Sequence, residues 1–316
     1  MTTRQSSPPS NTRTASAPSK KSPRRRHYIP KTRISRLWAL PALIPVALLR
    51  YIAVGFGAYY AFTNWNGLSV SADFVGMDNF VRIFSDEVAL RSIFNTLILA
   101  ACAVLISNTL GMILANALNK DLKTRHFLRA LFFAPFAITS LAVAYVWSFI
   151  FEYNGLLNQL LSAVGLGEWR RLWTADPETA LWTILVVMVW QTTGLCMIIY
   201  LSGLQGIPEE INEASELDGA GVFKRFRYVT LPMLRPAIVV AVALPTIMSL
   251  RVFDQVIGLT NGGPAQVTET LVTQFYRQAF AFGNYGYGAA IALLLTVLIG
   301  VIAVAQVLLL RGKDEN

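Results

Sequence analysis

Gly288–Leu310 reads GAAIALLLTVLIGVIAVAQVLLL, without one charged residue. A helix rises about 1.5 Å per residue and the hydrocarbon core of a bilayer is about 30 Å thick, so roughly 20 apolar residues can cross it. The same test picks out Leu37–Phe62, Ile93–Leu118, Phe127–Phe151, Ala180–Gly203 and Ala237–Leu259. None of these runs alternates polar and apolar residues, and each is about twice the length of a spanning strand, which excludes a β-barrel. The expected fold is therefore an all-α polytopic membrane protein with six transmembrane helices. Composition agrees: 54% of the 316 residues are hydrophobic and 14% charged, against about 25% charged in an average soluble protein. A soluble chain so composed could not cover its own surface.

The net charge of +9 suggests a nucleic-acid partner until its location is read. Residues 1–36 hold ten Lys/Arg and no acid, which leaves 17 basic against 18 acidic residues elsewhere, a balance of −1. The excess belongs to a Ser/Thr/Pro-rich tail with almost nothing to bury, expected to be disordered, and no nucleic-acid partner is implied. Arg24-Arg25-Arg26 can touch anionic lipid; the plainer reading is a solvated tail that helps to set topology. Cytoplasmic loops of membrane proteins carry the excess of Lys and Arg. With the N-terminus inside, the inner segments hold twenty basic residues and the outer loops five, which predicts both termini in the cytoplasm. The first apolar run begins too late and is too long for a cleaved signal peptide. Cys102 and Cys196 fall within spans, so no extracellular disulfide is implied.

The loops hold no metal or hydrolase chemistry. Histidine occurs only at His27 and His126, and the phosphate-cradling G-x-x-x-x-G-K-[ST] pattern is absent. If the protein uses ATP, another chain binds it. The informative loop is Leu204–Arg235, LQGIPEEINEASELDGAGVFKRFRYVTLPMLR. Pro208 with Glu209 and Glu210 makes a good helix start, because proline suits the first turn and acids suit the positive end of the dipole. Ile211, Ala214, Ser215 and Asp218 share one helical face, and Gly219 can end that helix in a left-handed conformation. A second amphipathic stretch carries Phe223, Phe226, Lys224, Arg225 and Arg227, and Leu231-Pro232 is expected to stop it. The result is a stiff cytoplasmic knob. An interfacial helix lying on lipid is the competing reading, but the first helix has four Glu, one Asp and no basic residue.

Glu213-Ala214-Ser215, Asp218-Gly219-Ala220 and Leu231-Pro232 resemble the EAA loop (E-A-A-x-x-x-G with a downstream I-x-L-P) of the permease subunits of binding-protein-dependent ABC importers. The resemblance continues in Phe74-Val-Gly-Met-Asp-Asn-Phe80, in Asn95-Thr96 and in Gly155-Leu-Leu-Asn158. It extends through Phe253-Asp254, Leu259-Thr-Asn-Gly-Gly-Pro264, Thr268-Glu-Thr270, Tyr276 and Ala279-Phe280, a block similar to that of carbohydrate permeases of the maltose, lactose and glycerol-3-phosphate type. Ser215 stands where the family has its second alanine. Ala53 stands where many relatives have proline, and Arg50 is unusual.

What the resemblance implies is a type I ABC importer permease in a bacterial or archaeal inner membrane. It would form a heterodimer with a second permease subunit, on two ATP-binding subunits that carry ATP and Mg, and receive a sugar or glycerol-3-phosphate from an extracytoplasmic solute-binding protein. The chain itself would bind no cofactor and catalyse no reaction. The EAA helix would be the coupling helix, with Glu213 on a basic residue of the ATPase and Gly219 at the bend. The competing classes are an ion-gradient-driven secondary transporter, which usually shows internal repeats not evident here, and a channel or scaffold.

Arg50, Arg251 and Asp254 lie deep inside spans, each costing roughly 2.5–3.5 kcal/mol at mid-bilayer unless it faces a partner or water. Arg251 and Asp254, read as i, i+3 on the fifth span, either pair as a brace between subunits or line a path. In the second reading they join Gln255, Trp190 and Gln191 along a sugar route that Pro245 opens. Arg50 is expected to find a partner inside the bundle.

Overall fold

The computed structural model describes residues 40–310. The basic tail 1–36, the expected start of the first span at Leu37 and the terminal segment 311–316 lie outside the described residues. Among the described residues fourteen α-helical segments follow one another: α1 (Leu40–Tyr60), α2 (Asp78–Ser85), α3 (Glu87–Leu118), α4 (Arg125–Ala137), α5 (Ser140–Phe151), α6 (Leu156–Ala163) and α7 (Ala180–Gln205). Then come α8 (Glu209–Leu217), α9 (Val222–Arg225), α10 (Leu231–Met233), α11 (Arg235–Leu250), α12 (Asp254–Leu259), α13 (Leu271–Tyr276) and α14 (Tyr285–Leu310). The described residues divide into two units, with the boundary after Leu49.

Four helices, α1, α3, α7 and α14, are long and apolar enough to cross a membrane singly, and the number reaches six if each of two bent pairs counts as one span. The helix of the expected second span starts at Glu87, earlier than Ile93, because Asp86 caps it: its carboxylate accepts the Val88 and Ala89 N–H groups at 2.9 and 3.3 Å. The expected third span is not continuous. Ile138 and Thr139 are extended, and α4 is bent by 98° from the run Ser140–Ala163. Pro135 in the last turn of α4 has no N–H to give the ladder. The expected fifth span is likewise broken, at Arg251–Phe253, between α11 and α12.

α7 is the centre of the bundle. It is apolar all round, and 72% of its most apolar stretch is buried, against 28% for α3, 11% for α14 and none for α1. One cluster packs Leu99, Val143, Ile184, Val187 and Val256; another, nearer the α7–α8 end, packs Leu118, Met197, Leu201 and Leu234. α4 approaches so closely that a Cβ on Gly194 would lie 2.2 Å from the Phe132 carbonyl oxygen. Arg50 lies exposed on α1, and none of the described residues supplies the ion-pair partner expected inside the bundle.

Three asparagines act as brackets between elements. The Asn79 amide donates to the Ala61 and Thr63 carbonyls, both at 2.9 Å, and ties the α2 segment to the end of α1. Asn95 donates to the Val267 and Glu269 carbonyls at 2.7 and 2.8 Å, while Thr96 Oγ1 accepts the Leu271 N–H at 2.9 Å. Fully buried Asn158 donates to the Arg171 carbonyl and accepts the Trp173 indole N–H, both at 2.9 Å.

Candidate functional site

The two helix breaks face one cavity of about 550 Å³. Ile138, Thr139 and Ser140 line it from one break, and Arg251, Phe253, Asp254 and Gln255 from the other, with Gln191 and Thr192 of α7 between them. Gln191 holds both breaks. Its amide donates to the Ile138 carbonyl at 3.0 Å, a group that the end of α4 leaves without a helical partner, and its oxygen accepts the Gln255 amide N–H at 3.0 Å. Irregular backbone at membrane depth is tolerated only where protein or a water-filled cavity satisfies it; here the Gln191 side chain takes up the Ile138 carbonyl.

Of the five residues expected on a substrate route, the cavity thus gathers Gln191, Arg251, Asp254 and Gln255. Trp190 it does not gather. One position along α7 turns that side chain onto an adjacent, mostly apolar hollow of about 650 Å³, where it meets Trp147 edge-on at 5.5 Å between centroids. The expected i, i+3 relation of Arg251 and Asp254 is also corrected. Arg251 lies just past the end of α11 and Asp254 begins α12, so no common helical face joins them. Among the described residues neither forms an ion pair, and both are exposed to the cavity. Ile138, Thr139 and Ser140 went unnoticed in the sequence, although a proline followed by two hydroxyl residues in an apolar run is a signal of a break.

Next to the cavity, the segment from Leu259 to Thr270 forms a tight cap. Glu269 is fully buried, paired with Arg277 at 2.6 Å, and Arg277 also donates to the Asn261 carbonyl at 2.9 Å. Gly262, at φ +80°, makes room: a Cβ there would lie 2.1 Å from Glu269 Oε1.

The loop at the other end of α7 is built as a rigid outwork. α8 starts after Pro208 with two acids in its first turn. It ends in a left-handed Gly219 (φ +73°), with the Ala220 N–H on the Ser215 carbonyl and the Gly219 N–H on the Glu216 carbonyl, both at 3.0 Å. Ser215 is buried and donates to the Asn212 carbonyl at 2.7 Å; Glu213, Ala214 and Asp218 are exposed, and Leu217 is 90% exposed. An ion pair between Glu216 and Arg225 ties α8 to α9. Leu231-Pro232 does not stop the second helix as expected. A π turn over Phe226–Thr230 sends the Leu231 N–H back to the Phe226 carbonyl, and the helical run continues through Pro232 to Met233. The change of direction comes at Leu234, a bend of 71° into α11. The widened turn lets the run pass a residue that has no N–H to donate.

A bundle of apolar helices, two of its apolar stretches broken around a polar cavity and one end carrying a braced helical outwork, is the architecture of a membrane transport component. The chain belongs to the family of binding-protein-dependent transport system inner membrane components, whose description matches residues 107–314. It is 35% identical over 278 residues to the multiple sugar-binding transport system permease protein MsmF of Streptococcus mutans, covering 87% of this chain and 95% of that one. It is 37% identical over 227 residues to the trehalose/maltose transport system permease protein MalF of Thermococcus litoralis, covering 72% and 76%. Its fold is similar to a chain of a bacterial alginate ABC transporter solved with an alginate pentasaccharide-bound periplasmic protein: TM-score 0.72, 25% identity, 86% of this chain and 94% of the other.

Proposed function

We propose that this chain is the transmembrane permease subunit of an ATP-driven sugar importer, crossing the membrane six times with both termini cytoplasmic. The observation that carries the reading is the cavity at which the α4–α5 and α11–α12 breaks meet around Gln191. Broken helices around a buried polar site are how membrane transporters present hydrogen-bonding groups to a solute. Amide, hydroxyl, guanidinium and carboxylate groups beside Phe253 suit a sugar, which needs donors, acceptors and an aromatic face. Relatives named for multiple sugars and for trehalose and maltose support the same cargo class.

Energy comes from elsewhere in the assembly. α8, with Glu213, Ala214, Asp218 and Leu217 exposed on a braced helix, is the coupling helix that docks on a cytosolic ATP-binding subunit. Two such subunits carry ATP and Mg, a second permease subunit completes the path, and a solute-binding protein delivers the cargo. The exposed faces of α1 suit contact with that second subunit.

Uptake by cells with and without the chain, across labelled sugars and glycerol-3-phosphate, tests the cargo. Purification tests the assembly: the reading expects a heteromeric complex with two ATPase subunits. A single chain that transports sugar alone in proteoliposomes, driven by an ion gradient, overturns it.

A further inference from the structure

Six aromatic rings form a file that ends at the cavity. Tyr60, at the end of α1, stacks on Trp65 at 4.2 Å and 18°. Trp65 meets Tyr285 at 5.6 Å, Tyr285 meets Phe280 at 5.7 Å, Phe280 meets Tyr276 at 5.5 Å, and Tyr276 meets Phe253 at 5.3 Å. Phe253 is itself a wall of the cavity, beside Asp254 and Gln255. The file is therefore continuous from the end of α1 to the polar site, although its members come from three separate stretches of the sequence.

Two of the rings are open in this chain: Phe280 is 58% and Tyr276 48% exposed. An interfacial anchor belt explains isolated Trp and Tyr residues at one depth, but not a file of touching rings that ends in a cavity lined by Arg251, Asp254 and Gln255. Nor is the file a core, since its middle members remain open. An aromatic face presents apolar area, whereas the edges of a sugar ring carry hydroxyls and its faces carry C–H groups. Such a face holds a pyranose by its C–H side and leaves the hydroxyls hydrated. Each contact is weak, of the order of an aromatic pair at about 0.5–1.5 kcal/mol, and successive weak sites let a solute enter and leave.

We propose that Tyr276 and Phe280, continued by Tyr285 and Trp65, form a stacking track that passes sugar rings from the outer loops to the cavity at Phe253. The proposal rests on the sugar-importer reading above and adds to it a second, aromatic site for pyranose rings, outside the polar one.

The test uses the complete importer in proteoliposomes with its binding protein and a panel of labelled pyranose sugars. Tyr276→Leu and Phe280→Leu keep apolar volume but remove the ring; Tyr276→Phe and Phe280→Tyr keep it. The track expects each Leu variant to lower sugar uptake per ATP hydrolysed roughly two- to tenfold, with the ring-retaining variants close to wild type and assembly unchanged. Leu variants that transport as wild type overturn the track and leave the importer reading standing. Loss of assembly in the Leu variants, or an equal loss in the ring-retaining ones, overturns it in favour of a packing contact with the second permease. A wild-type complex that takes up no sugar in the panel overturns the importer reading, and the track with it.

Discussion

Replacing Gln191 by leucine keeps the side-chain volume nearly constant and removes both hydrogen bonds that join the two breaks. The residue is 5% exposed, and its two partners, the Ile138 carbonyl and the Gln255 amide, each sit at 3.0 Å. A neutral hydrogen bond contributes about 0.5–1.5 kcal/mol net, and an orphaned buried group costs about 1–3 kcal/mol. Both orphans here border the cavity, where water can reach them, so the lower figures apply: about 1–3 kcal/mol for Gln191→Leu. Gln255→Leu breaks only one of the two bonds and leaves the Gln191–Ile138 bond intact, at about 0.5–1.5 kcal/mol. In the double variant the second substitution removes no further bond, so the two losses fall short of additivity by about 1 kcal/mol. Thermal melting of the purified protein in detergent, followed by circular dichroism, reads the three shifts. Equal shifts for the two single variants, or a fully additive double variant, refute the idea that Gln191 is the shared link.

Gly219→Ala has open space around it, so only the left-handed backbone at φ +73° is penalised, by about 1–2 kcal/mol; hydrogen exchange of 209–217 should accelerate and binding-protein-stimulated ATPase activity fall, with Gly219→Asn milder. Deleting Glu213–Gly219 should abolish that stimulation while membrane insertion, read by protease protection, is unchanged. In Gly262→Ala the new Cβ would sit 2.1 Å from Glu269 Oε1 and 2.9 Å from Arg277 Nη2; prising apart a buried pair costs roughly 3–5 kcal/mol, so its melting shift should exceed that of Gly219→Ala. Asn95→Ala leaves the Val267 and Glu269 carbonyls without their donor, at about 1–3 kcal/mol each, and limited proteolysis should then cut between residues 260 and 270.

Much of the architecture was legible because membrane helices obey a simple length rule. Gly288–Leu310 lies wholly within α14, and Ala180–Gly203 within α7. The acidic start at Pro208 and the left-handed Gly219 were legible too, since capping and backbone chirality are local. The breaks were not. An apolar window reports only that a stretch is hydrophobic, and Phe127–Phe151 stays hydrophobic through Ile138, where the helix has already ended. What holds that break open is a hydrogen bond from Gln191, 53 residues away in the chain. Likewise, spacing placed Arg251 and Asp254 on one face on the assumption of an unbroken helix, and placed Trp190 beside Gln191 without deciding which way each points.

By itself the sequence determined that this is a membrane protein of apolar helices, where its basic excess lies, and that its acidic-then-basic loop carries a capped helix. Those properties depend on composition, rise per residue and neighbours within a turn. The tertiary structure alone decided that Asn95 brackets the cap on Glu269, that Gln191 joins two broken helices at one cavity, and that rings from Tyr60 to Phe253 stand in file. Each of these needs side chains remote in sequence to meet at contact distance, and that is set by how helices pack, which no local pattern encodes.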